Sequence, residues 1–231
     1  MIELDNIYNM DCLEGMHQLP EGHKYAIVTD PPFNIGYHYN EYTDKMDEDE
    51  YYQWLDDITM RYPVALIHYP EALYRFAFQK GLIPERVLSW VYNSNTARQH
   101  RDIAFFGMKP NLDAFRQPYK NPNDKRIKER IANGCTGAAS YDWFEVDQVK
   151  NVEKERLGIT HPCVMPLSVM QRIVAFVPEE YVIVEPFSGS GTTAVACIKE
   201  HRHFIGFELN KEYYDKSLQR IKTEQMQPTL F

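Results

Sequence analysis

Hydrophobic and polar positions recur along the chain with two different periods, and the switches between them mark an α/β layered domain. Short apolar runs predict strands at residues 25–29 (YAIVT), 64–68 (VALIH), 86–92 (RVLSWVY), 181–187 (YVIVEPF) and 203–208 (HFIGFE). Segments of helical period between and after them predict helices over 47–62, 71–81, 166–177, 192–202 and 211–225. The first of these helices carries its acids at the front, where they suit the positive end of the helix dipole. From residue 181 onward the order is strand, helix, strand, helix, at the spacing of a parallel β-α-β unit. Between Asn93 and about Thr160 the periodicity lapses into polar pieces rich in proline and glycine, which predicts a loop-rich insertion over 93–160. Residues 222–231 read as a flexible tail on one domain that spans 1–231.

The length of 231 residues suits a single domain with an insertion, and 44% apolar residues are enough for a full core. No run reaches the roughly 18 to 20 apolar residues of a membrane helix, so no membrane association is expected. The opening MIELDNIYNMDCLEG lacks the basic-then-apolar order of a secretory signal, and a cytoplasmic location follows as the expectation. Cys12, Cys135, Cys163 and Cys197 are scattered and form no CxxC pair, so neither a zinc site nor a disulfide framework is expected. The net charge of −8 argues against a surface that binds nucleic acid everywhere. Its distribution points elsewhere. Between Arg98 and Arg130 nine basic residues face four acidic ones, a local basic segment on an acidic body.

The most informative block is VIVEPFSGSGTTAVACIKEHRHFIGFE. Its strand ends at Glu185, Gly189 and Gly191 let the backbone turn tightly, and a helix begins at the pair Thr192 and Thr193. Glu208 closes the next strand, where a carboxylate can accept from ribose hydroxyls. A triphosphate-binding loop would need a lysine that GSGTT lacks. A nicotinamide loop prefers a small, uncharged strand end, and Glu185 would repel its pyrophosphate. A ligand with a cationic amino-acid portion and a ribose fits better, and S-adenosylmethionine is such a ligand. A second feature is TDPPF at 29–33, which ends a buried strand with a carboxylate, two rigid prolines and an aromatic ring. Standing alone this would be a structural turn; beside the glycine block it becomes a candidate catalytic corner.

Together these residues resemble the amino-methylating DNA methyltransferases, in particular the circularly permuted β class, in which the catalytic motif precedes the cofactor motif. Asp30-Pro31-Pro32-Phe33 matches that family's (D/N/S)PP(Y/F), and Glu185-Pro186-Phe187-Ser188-Gly189-Ser190-Gly191-Thr192-Thr193 matches its DPFxGSGTT, with Glu for the usual Asp. The opening around Asp11 and Cys12 is similar to the segment that contacts the cofactor's adenine in that family. The resemblance covers residues 1–92 and 161–221. It departs at His161-Pro162-Cys163-Val164-Met165-Pro166, where the family carries HPTxKP: the histidine and both prolines remain, while Thr and Lys are replaced. The resemblance implies a Rossmann-like doubly wound sheet, a restriction-modification setting, and a cofactor site built from Asp11, Cys12, Asp30, His161, Glu185, Phe187, Ser188, Gly189, Ser190, Gly191, Thr192, Thr193 and Glu208. It also implies that the corner works on an exocyclic amine, whose lone pair is delocalised into the base. Asp30 and the carbonyl of Pro31 would accept the two N–H bonds, Pro32 would stiffen the turn, and Phe33 would offer a face to a base taken out of the duplex. The acid at the first position resembles the adenine-N6 enzymes more than the cytosine-N4 ones, where serine is frequent. The expectation is therefore adenine-N6 methylation of DNA, with cytosine-N4 as the nearest alternative.

The basic segment is the expected DNA-reading face, with Asn93, Asn95, Arg98 and Arg101 at its front edge and Lys125, Arg126, Lys128 and Arg130 meeting phosphates. The chain's last residues, QPTLF, are similar to the peptide by which bacterial replication proteins dock on the sliding clamp, through Gln227, Leu230 and Phe231. A tail folded back on the body is the plainer alternative. Homodimers occur in the resembling class and are a further expectation. An enzyme acting on RNA or protein amides, and a non-catalytic protein that binds DNA or the clamp, remain alternatives; neither would label duplex DNA from a radioactive methyl donor.

Overall fold

The computed structural model of the chain describes residues 1–39, 42–59, 61–150 and 163–226. Its central sheet contains β1 (Asn6–Tyr8), β2 (Lys24–Thr29), β5 (Val64–His68), β6 (Arg86–Val91), β7 (His100–Phe106), β8 (Trp143–Glu145), β9 (Tyr181–Glu185) and β10 (Phe204–Phe207). The remaining strands, β3 (Tyr37–Tyr39) and β4 (Tyr42–Asp44), form a separate antiparallel pair just after the TDPPF corner. Helices α1 (Cys12–Met16), α2 (Glu48–Thr59), α3 (Pro70–Lys80), α4 (Lys125–Ala132), α5 (Leu167–Phe176), α6 (Thr192–Lys199) and α7 (Lys211–Met226) complete the described elements.

The sheet order is β1-β10-β9-β2-β5-β7-β6-β8. Strands β1, β10, β9, β2 and β5 run parallel to one another, and β7 returns antiparallel between β5 and β6. Both faces are covered, which explains why the central strands read as continuous apolar runs rather than as an alternation. Along β2, Ala26 and Val28 point into a core with Val169, Met170 and Ile173 of α5 and Ala194 and Ala196 of α6. Tyr25 and Ile27 point the other way, into a core with Tyr51, Leu55 and Ile58 of α2 and Leu73 and Phe76 of α3. The doubly wound α/β architecture expected from the sequence is therefore the one observed. Among the described residues no helix is long and apolar enough to cross a membrane.

One expectation needs correcting. The stretch 93–160, expected as a loop-rich insertion, contributes β7 to the middle of the sheet. Ile103, Ala104, Phe105 and Phe106 are buried, on both faces of the sheet, so this strand belongs to the core and not to an appended segment. The parts of the stretch that lie on the surface include α4, none of whose residues is buried.

Candidate active site

A parallel sheet brings the ends of its strands to one edge, and a crevice outside those ends is the usual ligand site. Here β1, β2, β5, β9 and β10 all end at the same edge, and β7 begins there, because His68 at the end of β5 pairs with Asp102 near the start of β7. The segments that follow these strands carry Asp11, Asp30, Tyr69, the SGSG turn and Glu208. The two corners singled out in the sequence, 155 positions apart at Asp30 and Glu185, thus become neighbours. Strands β2 and β9 are adjacent, with Ile27 opposite Val184. A buried hydrogen bond ties their ends, from the Thr29 hydroxyl to Glu185 Oε1 at 2.8 Å.

Glu185 is the clasp of the glycine turn. It also accepts from the Phe187 backbone N–H at 3.1 Å and from the Thr193 hydroxyl at 2.8 Å. Burial pushes its pKa up to about 8, against the pull of these hydrogen bonds; nearby Asp30 pushes the same way as burial. Gly189 and Gly191 have φ of 48° and 74°, left-handed backbone that suits glycine. Gly206 of β10 matters for another reason. A Cβ there would lie 2.3 Å from Ser188 Oγ, so only glycine lets the turn settle onto the strand. Glu208 holds the outer side of the turn: Oε2 accepts from Gly189 N–H at 2.7 Å and Oε1 from Asn210 N–H at 2.8 Å. Burial raises its pKa, and those two backbone bonds oppose the rise. Arg220 of α7, which the sequence reading missed, fixes the far end by donating to the Ser190 carbonyl at 3.0 Å and the Thr192 hydroxyl at 2.9 Å.

The TDPPF corner is held just as firmly. The Tyr69 N–H donates to His68 Nδ1 at 2.8 Å, which puts the ring proton on Nε2. That nitrogen then donates to the Tyr51 hydroxyl at 2.9 Å, and Tyr51 donates to the Pro32 carbonyl at 2.7 Å. His68 also stacks on Phe33, with ring centroids 4.2 Å apart. Burial, followed by the charge of Arg101, drives the His68 pKa down to about 3, so the ring stays neutral and the relay keeps one direction. After the corner, Asn34 takes a φ of 58°, and Asp44 accepts its backbone N–H at 2.7 Å. An open cleft of about 560 Å³ borders the corner, lined in part by Phe33, Tyr51, His68, Tyr69 and Arg98.

Asp30 lies at the bottom of this arrangement with its side chain 17% exposed. Its Oδ2 stands 3.5 Å from Arg101 Nη1, and its buried Oδ1 has no hydrogen-bond partner among the described residues. Burial raises its pKa to about 6, with Arg101 pulling it back. The sequence reading set Arg101 at the front edge of a DNA-contacting loop; the structure corrects this. Arg101 sits on β7, its side chain is 16% exposed, and its guanidinium lies over Phe33 at 4.7 Å and Trp90 at 5.4 Å. The face of Phe33 is therefore not bare, since His68 and Arg101 both pack against it.

The other expected residues fall into three groups. Asp11 is exposed and caps α1, accepting from Leu13 and Glu14 N–H, while Cys12 is buried behind it. Asn93, Asn95 and Arg98 are exposed beside the cleft or on the adjoining loop; Arg98 stacks over Tyr69 at 4.2 Å and pairs with Glu71. Lys125, Arg126, Lys128 and Arg130 are all exposed on α4, whose N-terminus is capped by Asp124. His161 and the tail residues Gln227, Leu230 and Phe231 lie outside the described residues.

Known proteins are similar to this chain. The chain is 27% identical to the type II methyltransferase M.HpaI of Haemophilus parainfluenzae, over 93% of this chain and 73% of that protein. It is also 27% identical to M.BglII of Bacillus subtilis, over 96% of this chain and 70% of the relative. Among solved structures, the complex of M1.HpyAVI with SAM superimposes with a TM-score of 0.58 at 19% identity, covering 93% of this chain and 98% of that one. The PvuII cytosine-N4-specific DNA methyltransferase gives a TM-score of 0.64 at 16% identity, covering 97% and 87%. These two likenesses establish the shared fold. The family model described as DNA methylase, for N6 and N4 methyltransferases, matches residues 56–219, from α2 through the glycine turn to α7. With that match over most of its length, the chain belongs to the N6/N4 DNA methylase family.

Proposed function

We propose that this protein uses S-adenosylmethionine to methylate the exocyclic N6 amine of adenine in DNA. The observation that carries the reading is the meeting of the Asp30 corner and the glycine turn at one sheet edge, joined by the Thr29–Glu185 hydrogen bond. The turn's residues fit the cofactor. Two left-handed glycines keep the turn slim, and Glu208 uses one acceptor site of each oxygen on backbone N–H groups, which leaves others for hydroxyls. Phe187 to Thr193, Glu185, Glu208 and the start of α1 at Asp11 and Cys12 would hold it; M1.HpyAVI, which shares the fold, was solved as a complex with SAM. When bound there, the cofactor supplies a methyl group activated by a positively charged sulfur.

The chain's own part is to prepare the amine. Asp30 Oδ1, buried and without a partner, accepts one N–H. The resemblance assigns the other to the carbonyl of Pro31; that of Pro32 already accepts from Tyr51. Two acceptors at tetrahedral angles draw the nitrogen out of conjugation and expose its lone pair to the methyl group. As the N–C bond forms and the methyl–sulfur bond breaks, the sulfur leaving as a neutral thioether, the amine becomes acidic and Asp30, with a pKa near 6, can receive one of its protons. Holding the nitrogen in line supplies most of the acceleration. The cleft beside Phe33 can receive a base taken out of the duplex. The exposed basic helix α4 is the proposed landing face for phosphates.

Adenine is favoured over cytosine by the acid at position 30, where cytosine-N4 relatives often carry serine. The test is modification-sensitive sequencing of DNA from cells expressing the wild type and Asp30→Ala. Methyladenine at a fixed site, lost in the variant, is the expected result. Methylcytosine instead would reassign the base, and unmodified DNA from cells that hold folded, S-adenosylmethionine-binding protein would end the proposal.

A further inference from the structure

Arg101 is not explained by the function just proposed. It is a cation on a core strand of the sheet, mostly shielded from solvent, and it leans on three aromatic rings: Phe33, Trp90 and Tyr69 at 4.7, 5.4 and 6.0 Å. Trp90 is its direct register partner across β6 and β7, so the pairing of the two strands aims the guanidinium at the corner. Its Nη1 lies 3.8 Å from Met165 Sδ and 3.5 Å from Asp30 Oδ2. Its buried Nε has no partner among the described residues, like Asp30 Oδ1 beside it. Burial works against its charge, but Asp30, Tyr92 and Tyr69 outweigh that and hold it firmly protonated.

We propose that Arg101 is a positioning residue for the transfer: it pairs with one oxygen of Asp30, keeps the carboxylate charged, and leaves Oδ1 as the acceptor for the amine. The proposal rests on the methyltransferase reading and adds to it. The long contact of 3.5 Å suits this part. A tight bidentate pair would take an acceptor site on each oxygen and turn both toward the arginine, away from the substrate, whereas no cation at all would leave a buried carboxyl free to pick up a proton and stop accepting. The rings hold the cation at that distance, since an arginine lying on aromatic faces cannot swing closer without leaving them. The same enclosure argues against a phosphate contact, which would need the guanidinium at the surface.

Among the described residues, the charged and titratable groups around Asp30 are few. Arg101 approaches from β7, Glu185 from β9 and His68 from the end of β5, with Tyr69 and Tyr92 behind the guanidinium. Cys163 is a further neighbour of Arg101. His68 remains neutral above about pH 3, and Glu185 changes charge near 8. Among the described groups, the acidic limb of the rate is therefore assigned to Asp30.

The experiment compares full-length wild type, Arg101→Gln and Arg101→Lys. Three quantities are read: kcat against pH on a duplex substrate, the salt dependence of duplex binding, and the Asp30 carboxyl titration by 13C NMR of aspartate-labelled protein. Removing an opposite charge at this range should move the acidic limb and the NMR midpoint up by roughly 1 to 2 pH units in the glutamine variant. At pH 7 that is roughly a two- to tenfold loss of kcat, recovered as the pH is raised. The lysine variant should stay near wild type, and the salt slope should not change in either. An unmoved NMR midpoint in Arg101→Gln would overturn the proposal, as would a lysine variant shifted as far as the glutamine one. A salt slope lowered by about one with an unmoved limb would make Arg101 a phosphate contact instead. If the wild type transfers no methyl group while the NMR midpoint still shifts, the electrostatic pairing stands and the assigned reaction fails.

Discussion

Substituting Asp30 by asparagine should stabilise the empty protein, and the gain should depend on pH. The folded-state pKa of Asp30 stands at about 6, above its ordinary value of 3.8, so the folded protein holds that proton more tightly than the unfolded chain does. Stability is consequently lost as pH climbs from about 4 through 6, and the loss is complete above that window. The rise is roughly two pH units at ~1.4 kcal/mol each, which puts the largest cost at about 3 kcal/mol. The attraction of Arg101 is already included in that figure, because the value near 6 is what remains after Arg101 has pulled it down. Asparagine keeps the size of the side chain and removes the ionisation. Urea unfolding of wild type and Asp30→Asn at pH 4.5 and at pH 8 isolates the effect, since all other titrating groups are shared. The variant should lead by about 2 kcal/mol more at pH 8 than at pH 4.5, while methyl transfer is lost. A gap that stays constant between the two pH values would show that Asp30 titrates normally. A wild type that gains on the variant with rising pH would show that Arg101 outweighs the burial. Either result would refute the reasoning.

Tyr51→Phe removes the donor to the Pro32 carbonyl and the acceptor for His68, so it should cost about 1 to 3 kcal/mol of stability and lower kcat roughly tenfold, with cofactor affinity by calorimetry unchanged. Gly206→Ala would set a Cβ 2.3 Å from Ser188 Oγ, and overpacking of this kind costs about 1 to 3 kcal/mol. It should also weaken cofactor binding, and adding Ser188→Ala should restore part of both; a double variant no better than the single one would put the fault elsewhere. Replacing Lys125, Arg126, Lys128 and Arg130 by alanine should flatten the salt dependence of duplex binding by up to about four phosphate contacts, leaving kcat at saturating DNA unchanged. An unchanged slope would remove α4 from the interface.

How much of this was legible in the sequence depended on whether the signal was local. The turn from Glu185 to Thr193 and the strand, helix and strand around it could be read directly, because the residues that give the pattern lie within about two dozen positions; the distant supports, Thr29 and Arg220, could not. The Asp30 corner was legible for the same reason, and its closeness to Glu185 followed once both were placed at the ends of parallel strands. β7 was not legible. Its first residues, His100, Arg101 and Asp102, are polar, and it sits among proline-rich pieces, so Arg101 counted as one more charge in a basic stretch. Only its pairing with β5 and β6, across more than thirty residues in one case, turns the side chain inward. The Tyr51–His68 relay was hidden likewise: a helix tyrosine and the last residue of a buried strand gave no shared pattern. α1 and β1 were too short for a period to show, yet Asp11 still caps the one and follows the other. Basic charge counted along a chain thus mixes two populations with opposite destinations. On α4 no side chain is buried and the charges are free to meet phosphates. On β7 strand pairing commits the one arginine to the interior, where its counter-charge is the carboxylate of Asp30. What decides between the two is not the local density of lysine and arginine but whether a partner strand exists to cover them.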